Sequence, residues 1–275
     1  MSIAYKIHPF LDDQIEKTSL VTLFMKSRDF LKKKSILNDA YSNVLVEELK
    51  HDFSGIYQNE DTAMGVLVRA RYFDQEVIKF IQVNENPIIV NLGCGLDTRY
   101  HRLKEHNKEA FFYDLDLPDV IDLRSRLIVP EKNNHYLAHS VFELKWMEEL
   151  QNKHQNSQFL FIAEGLFMYL DKPQIRNLLI DLARHFPSGE IHFDIVNKWT
   201  MRNATGHSNI TPPFKSGFNR DLEMTEWTDK LVYSKTKLFT SEKEFQEIHF
   251  IKRLIMKFPR FKYGCRMLHY KFKQN

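Results

Sequence analysis

Disulfide chemistry is the first thing this chain lacks. Two cysteines in 275 residues, Cys94 and Cys265, cannot make a cross-linked framework and point to a reducing compartment. Nine glycines and nine prolines are too few for a fibrous or loop-dominated chain. No run approaches the roughly 18 consecutive apolar residues that a bilayer-spanning helix needs, so no membrane partner is expected. The opening Met1-Ser2-Ile3-Ala4-Tyr5-Lys6 starts no apolar leader and shows no cleavage pattern, so the expected location is cytoplasmic. A dominant charge is missing as well. Thirty-nine Lys and Arg against 36 Asp and Glu leave +3, too mild a surplus to predict nucleic-acid binding. The densest basic run, Lys32-Lys33-Lys34, reads as a solvated helix end. No pair among the twelve histidines stands at metal-ligand spacing beside a supporting Cys or carboxylate, so no metal is expected. Nothing in the sequence speaks to oligomeric state.

What is present is material for a core: 43% hydrophobic residues, with 22 Phe and 11 Tyr. Residues 1–85 read as an N-terminal helical cap. Leu20, Leu23, Phe24 and Ser27 share one helical face, and Val44, Leu45, Leu49 and Phe53 recur at helical spacing. After Asn86-Pro87 the pattern changes to short apolar runs: Ile88–Leu92, Ala110–Leu115, Tyr136–Ala138, Phe159–Ala163 and Glu190–Val196. Helical candidates alternate with them at Thr98–His106, Pro118–Leu127, Glu143–Lys153 and Pro173–Phe186. That alternation means βαβ units and an α/β, doubly wound, mostly parallel sheet. Regularity fails from Lys198 to Thr225, where Asn203, Gly206, Asn209, Pro212, Pro213 and Gly217 interrupt any period, as in a lid or binding loop. Leu231–Thr240 and Gly264–Phe272 supply two last strands around a helix at Ser241–Lys257. The total is seven strands, with residues 86–275 forming the core and an insertion at about 198–225, after strand five.

The first strand runs into Leu92-Gly93-Cys94-Gly95-Leu96-Asp97-Thr98-Arg99, a tight turn opening a helix. Gly93 and Gly95 let the backbone take strained angles and let a ligand come close to the main chain. Asp97 or Thr98 can cap the helix that follows. The next strand ends Tyr113-Asp114-Leu115-Asp116, about twenty residues on, where a carboxylate can accept both hydroxyl protons of a nucleoside ribose. Either NAD or S-adenosylmethionine carries that ribose. The third glycine of a pyrophosphate site is replaced by Thr98 beside Arg99 and Tyr100, which favours a nucleoside ligand without phosphate.

With these blocks assembled, the chain resembles the leucine carboxyl methyltransferase family, and especially its bacterial branch of polyketide-type O-methyltransferases. The resemblance is carried by Gly93, Gly95, Asp97, Thr98, Arg99 and Arg102; by Asp114-Leu115-Asp116-Leu117-Pro118; and by Ala163-Glu164-Gly165-Leu166-Phe167-Met168-Tyr169-Leu170. Leu67-Val68-Arg69-Ala70-Arg71 looks like the family's upstream arginine segment. Lys17-Thr18-Ser19-Leu20 and Asn38-Asp39-Ala40-Tyr41 look like its helical cap. The resemblance implies a Rossmann-like class I methyltransferase fold using S-adenosyl-L-methionine. It implies that Gly93 and Gly95 pass under the methionine part and that Asp116 holds the ribose, with Asp114 as rival. Arg69 would pair with the methionine carboxylate, with Arg71 as rival, and Arg28 falls near the family's basic residue by the cofactor. Glu164 and Tyr169 would stand near the transferred methyl, Glu164 beside the cofactor amine. Where many members carry an Asp-Leu pair reading the adenine edge, this chain has Ser140-Val141. A serine hydroxyl and the Val141 N–H can still meet an amino group and a ring nitrogen, without the charge-assisted bond. Cys94 reads as packing.

The expected activity is methyl-ester formation on a carboxylate of a small molecule. A carboxylate is already anionic, so proximity replaces a general base. A phenol or alcohol would need a base, most often histidine, and His101 is the sole histidine in the three blocks. The alternatives are a hydroxyl or phenol O-methyltransferase, a non-catalytic S-adenosylmethionine-binding protein, an NAD-dependent oxidoreductase, and a methyltransferase acting on a protein tail.

Overall fold

In the computed structural model, which describes residues 14–49, 53, 60–107, 109–203, 212–247 and 250–274, the apolar runs pair into one seven-stranded sheet. Its strands are β1 (Pro87–Leu92), β2 (Phe111–Asp116), β3 (Asn134–Ala138), β4 (Gln158–Ala163), β5 (Glu190–Val196), β6 (Leu231–Leu238) and β7 (Cys265–Phe272). The spatial order is β3-β2-β1-β4-β5-β7-β6. Strands β1 to β5 run parallel, and β7 slots between β5 and β6, antiparallel to both. The chain leaves β1 for β2 on one side, while β4 lies on the other. The loops after β1 and β4 therefore diverge and open a crevice at the carboxyl ends of the strands.

Side-chain alternation splits the core into two layers. Ile88, Val90 and Leu92 of β1, with Phe159, Phe161 and Ala163 of β4, face the helices α6 (Leu144–Lys153) and α7 (Lys172–His185). Ile89, Leu160 and Ile162 face the other way, onto α3 (Glu60–Val83). Helix α3 buries Val68, Phe73 and Val77 completely, a burial worth roughly 1.5–3 kcal/mol per side chain. The other N-terminal helices, α1 (Gln14–Phe30) and α2 (Ala40–Leu49), pack on each other and on Leu123 and Leu127 of α5 (Pro118–Leu127).

Several boundaries move for identifiable reasons. The helix expected over Thr98–His106 is one turn, α4 (Arg99–Arg102), because the Asn107 amide donates to the Tyr100 carbonyl at 2.8 Å and closes it. Strand β3 starts at Asn134, earlier than Tyr136, as the Asn134 amide is drawn to Asp114 at 2.9 Å. Val44 is 44% exposed, because Ser42, Leu45 and Leu49 form the buried face of α2; Phe53 lies beyond that helix and stacks on Phe24. The helix expected at Ser241–Lys257 is found in its described residues as α9 (Lys243–Glu247) and α10 (Phe250–Ile255), with Phe245 buried and Phe250 and Leu254 exposed. The irregular 198–225 segment opens with α8 (Lys198–Asn203) and carries a short 3-10 turn at Glu223–Glu226. Its Gly206, His207 and Asn209 lie outside the described residues. Helix α11 (Pro259–Lys262) leads into β7. Among the described residues no helix is long and apolar enough to cross a membrane.

Candidate functional site

The turn after β1 is tied to the end of β2: the Gly93 and Cys94 amides donate to the Leu115 carbonyl at 2.8 and 3.1 Å. Gly93 and Gly95 hold φ of 65° and 50°, the left-handed region. A Cβ at Gly95 would stand 2.7 Å from Ser19 Oγ on α1, and one at Gly93 would stand 3.0 Å from Leu166 Cδ1. Helix α1 and the loop after β4 thus wall the turn on two sides. Cys94 is buried beneath it, its thiol pushed well up by desolvation.

Asp116 and Asp114 share a face of β2 but meet different surroundings. Asp116 accepts the Gly95 and Leu117 amides at 2.7 and 2.8 Å at the mouth of the crevice. Burial lifts its carboxyl above the ordinary range, with those two amides pulling the other way. Asp114, one layer deeper, is taken up by Arg124 at 2.6 Å, Asn91 at 2.6 Å and Asn134 at 2.9 Å. Ser140 and Val141 follow β3, beside Asp116, whose carbonyl accepts the His139 amide at 3.0 Å. The Ser140 amide donates to Glu143 Oε1 at 2.9 Å and Val141 is buried.

Charged side chains converge beyond the turn. Lys26 of α1 meets Asp97 at 2.5 Å; Arg99 meets Glu164 at 2.5 Å and Asp74 at 2.9 Å; Arg102 reaches Asp39, Asp74 and Asp97 within 3.0 Å. Arg69 of α3 joins Glu164 at 3.3 Å and Asp194 of β5 at 3.0 Å. Burial alone would raise Glu164, but Lys26, Arg69 and Arg99 outweigh it and hold the carboxyl below its ordinary value. Asp97 is held well below by Arg102, Lys26 and Arg99 against the same penalty. Burial lifts Asp194 despite Arg69 and the Gly165 amide, which donates to it at 2.6 Å. Four cations here face five carboxylates, so the network carries a negative surplus, and buried charge of this kind persists only when so fully paired.

The three candidate arginines take different positions in space. Arg71 points to the opposite side of α3 and pairs with Glu242 and Glu244 at 3.0 and 2.5 Å, whereas Arg69 borders the crevice. Arg28 is exposed and does not border it. Lys26, about 200° around α1 from Arg28, takes the inward position. The sequence reading missed Lys26 and Asp194. Each had a signal: a lysine among the buried Leu20, Leu23 and Ser27, and a carboxylate inside the apolar run Ile191–Val196.

Lys26, Arg69, Asp97, Arg99 and Glu164 line one side of a cavity of about 530 Å³. Gly93, Gly95, Arg69, Glu164 and Tyr169 all border it; Asp116, Ser140 and Val141 stand outside that boundary. The side away from the turn is apolar and aromatic, with Val66, Met168, Phe214, Phe239, Phe245 and Met256. Phe214 and Lys215 of the 198–225 segment lie against it: the Lys215 amide donates to the Met168 carbonyl at 2.7 Å, and the Phe214 ring stands 5.5 Å from Tyr169. No histidine among the described residues borders the cavity. His101 stacks on Tyr41 at 4.0 Å, and burial lowers its pKa.

One cluster that linear spacing concealed lies elsewhere. Strand pairing sets His192 opposite His269, with Glu190 on the same face, and their ligand atoms fall within 4.8 Å of one another. The two rings stack face to face at 4.0 Å, so their lone pairs run side by side without converging, and Lys271 sits 3.7 Å from Glu190. That arrangement suits packing better than metal ligation.

The cradle fits a nucleoside bearing an amino-acid tail. Two left-handed glycines leave the main chain open to a close approach. The Asp116 carboxyl at the end of β2, held by two backbone amides, keeps lone pairs for further donors, and a paired-charge network suits an ammonium and a carboxylate. Comparison with known proteins agrees. The leucine carboxyl methyltransferase profile matches residues 22–183, more than half of the chain. The tetracenomycin polyketide synthesis O-methyltransferase TcmP of Streptomyces glaucescens is 32% identical over 190 residues, 69% of each protein. A Thermobifida fusca YX crystal structure superposes with a TM-score of 0.54 at 12% identity, over 91% of this chain and 94% of that one. The SAM-dependent methyltransferase of Anabaena variabilis ATCC 29413 does so with a TM-score of 0.50 at 13% identity, over 74% and 84%. These two likenesses speak to the fold alone.

Proposed function

The chain belongs to the leucine carboxyl methyltransferase family and is an S-adenosyl-L-methionine-dependent methyltransferase, and from that premise we propose that it forms a methyl ester on a carboxylate of a small molecule. The observation that carries the carboxylate reading is the lack of any histidine bordering the cavity among the described residues. A hydroxyl acceptor needs a base within hydrogen-bond reach, and an anionic carboxylate does not. The aromatic far wall suits an acceptor with an apolar body, as does the likeness to an enzyme of polyketide synthesis. The scarcity of cysteine fits a cytoplasmic location.

Bound S-adenosylmethionine supplies an electrophilic methyl group on a sulfonium. Asp116 accepts the ribose hydroxyls. Ser140 and Val141, next to it, meet the adenine edge. Glu164 accepts from the ammonium, Arg69 and Lys26 hold the carboxylate, and the bare backbone of Gly93 and Gly95 lies under the tail. The surplus carboxylate of the network favours a cationic ligand. Tyr169, whose phenol burial pushes above its ordinary value, stays protonated and can donate to the acceptor oxygen, orienting it. The chain's own contribution is alignment: holding oxygen and carbon about 3 Å apart and in line supplies roughly 7–11 kcal/mol. Residues 1–85 act as a cap, with α1 over the cofactor end, and 198–225 shapes the acceptor side.

The decisive experiment is the stability of the product. Mild alkali should release methanol from the methylated acceptor. An alkali-stable ether would overturn the carboxylate reading and send the search for a base to His207.

A further inference from the structure

One strip of the surface carries a combination that the methyl-transfer site leaves unexplained. From Phe250 to Tyr263 the chain reads Phe-Ile-Lys-Arg-Leu-Ile-Met-Lys-Phe-Pro-Arg-Phe-Lys-Tyr, with five basic residues and no acidic one. Its large apolar side chains point outward: Phe250 is 66% exposed, Phe258 59% and Leu254 51%. Trp199 of α8 extends the strip, its ring 5.0 Å from Phe261, with the Arg260 guanidinium lying over both rings. The strip borders the cavity. Met256 is common to its wall and to a neighbouring hollow of about 570 Å³, where Phe250 and Leu254 meet Lys257 and Lys262.

We propose that residues 250–263, with Trp199, are a docking surface for an anionic phospholipid bilayer, which sets the mouth of the cavity against the membrane. Bulky apolar groups interleaved with Lys and Arg are what the interface asks for: the former enter the acyl boundary while the latter stay at the phosphates. Trp and Tyr favour that same depth. A protein partner fits less well. Cores of protein interfaces are depleted in lysine, and here lysines thread the apolar strip and do not merely rim it. A second copy meeting this face by two-fold symmetry would oppose Lys257, Arg260 and Lys262 to the same three cations. The expectation of no membrane partner rested on the lack of a spanning run, and docking within the interface needs none. This inference is independent of which oxygen accepts the methyl group.

The full-length chain, mixed with vesicles and sedimented, tests it. It should pellet with phosphatidylcholine vesicles containing phosphatidylglycerol, stay in solution with phosphatidylcholine alone, and be released by salt. F250S/F258S and K257E/R260E should each lower the bound fraction about tenfold, in keeping with two lost contacts near the surface. Both should keep wild-type thermal shifts with S-adenosylhomocysteine, which separates this outcome from failure of the cofactor site. Absence of binding to anionic vesicles, or binding undiminished in both variants, overturns the proposal. So does a dimer in sedimentation velocity that F258S abolishes while vesicles bind neither protein, an outcome that assigns the strip to a second copy.

Discussion

At the scale of residues, the site sets carboxylates of one type to different tasks by their surroundings. Asp114 and Asp116 are two positions apart on one strand. The first is neutralised by Arg124, and the second has only backbone amides and a burial penalty. Asp116→Ala should weaken S-adenosylhomocysteine binding by about 2–4 kcal/mol in calorimetry, the loss of one or two bonds to a charged acceptor. The sign of the pH effect follows from the lifted carboxyl. Ribose donors favour its ionised form, so affinity is full above the raised pKa and falls as pH drops through it. Asp116→Asn should flatten that dependence, and a slope surviving in this variant would place the titration elsewhere. Asp194 works at one remove, since it holds Arg69 and the Gly165 amide without bordering the cavity. Asp194→Asn keeps an acceptor for the amide but loses the counter-charge. The cofactor KM should rise about tenfold, roughly 1.4 kcal/mol, with kcat at saturation nearly unchanged. A fall in kcat alone would give Asp194 a different role.

Among the elements, α3 has two jobs. One face covers β1 and β4, and a position near its middle delivers Arg69 to the crevice. Phe73 is fully buried one turn beyond Arg69. Phe73→Ala should cost about 3–5 kcal/mol in denaturant unfolding, the usual cost of a large core truncation. A loss below 1 kcal/mol would mean that α3 is not part of the folding core. Helix α1 shows the limit of reading by periodicity. Its inward face was legible in Leu20, Leu23 and Ser27, yet Lys26 on that face was passed over in favour of Arg28, because lysine is scored as a surface residue until its partner Asp97, 71 positions away, is seen. The helix expected at Ser241–Lys257 shows the complementary limit: Phe250 and Leu254 of its described part face outward, and composition cannot tell which way apolar residues point.

The whole molecule is held partly by buried charge, so its stability should follow pH in two opposed ways. Asp39, Glu76, Asp97 and Glu164 have depressed pKa values in the fold. Their contribution is complete above the ordinary values of 3.8 and 4.5 and is lost as pH falls through the lower folded values. Asp116 and Asp194 are raised; their ionised forms cost stability near neutrality, and protonation in mild acid relieves it. The melting temperature should therefore hold level down to about pH 5 and collapse below about pH 4. A steady decline beginning near pH 7 would show that the network is not what holds the cap to the core.

The sequence alone determined the strand–helix alternation, the glycine turn and the carboxylate after the second strand, because each is a local pattern whose physics is written within a few residues. Period-2 and period-3.6 burial, a left-handed turn and a strand end need no distant partner to be recognised. The tertiary structure alone showed that Asp114 is taken up by Arg124 while Asp116 meets only backbone amides, and that Arg69 and not Arg71 borders the cavity. It also brought Lys26, Asp97, Glu164 and Asp194 into one charge network and set His192 against His269. Those choices depend on what lies opposite each side chain across the sheet or the cap. A charge in a folded chain is defined by its neighbours in space, and the linear order does not carry them.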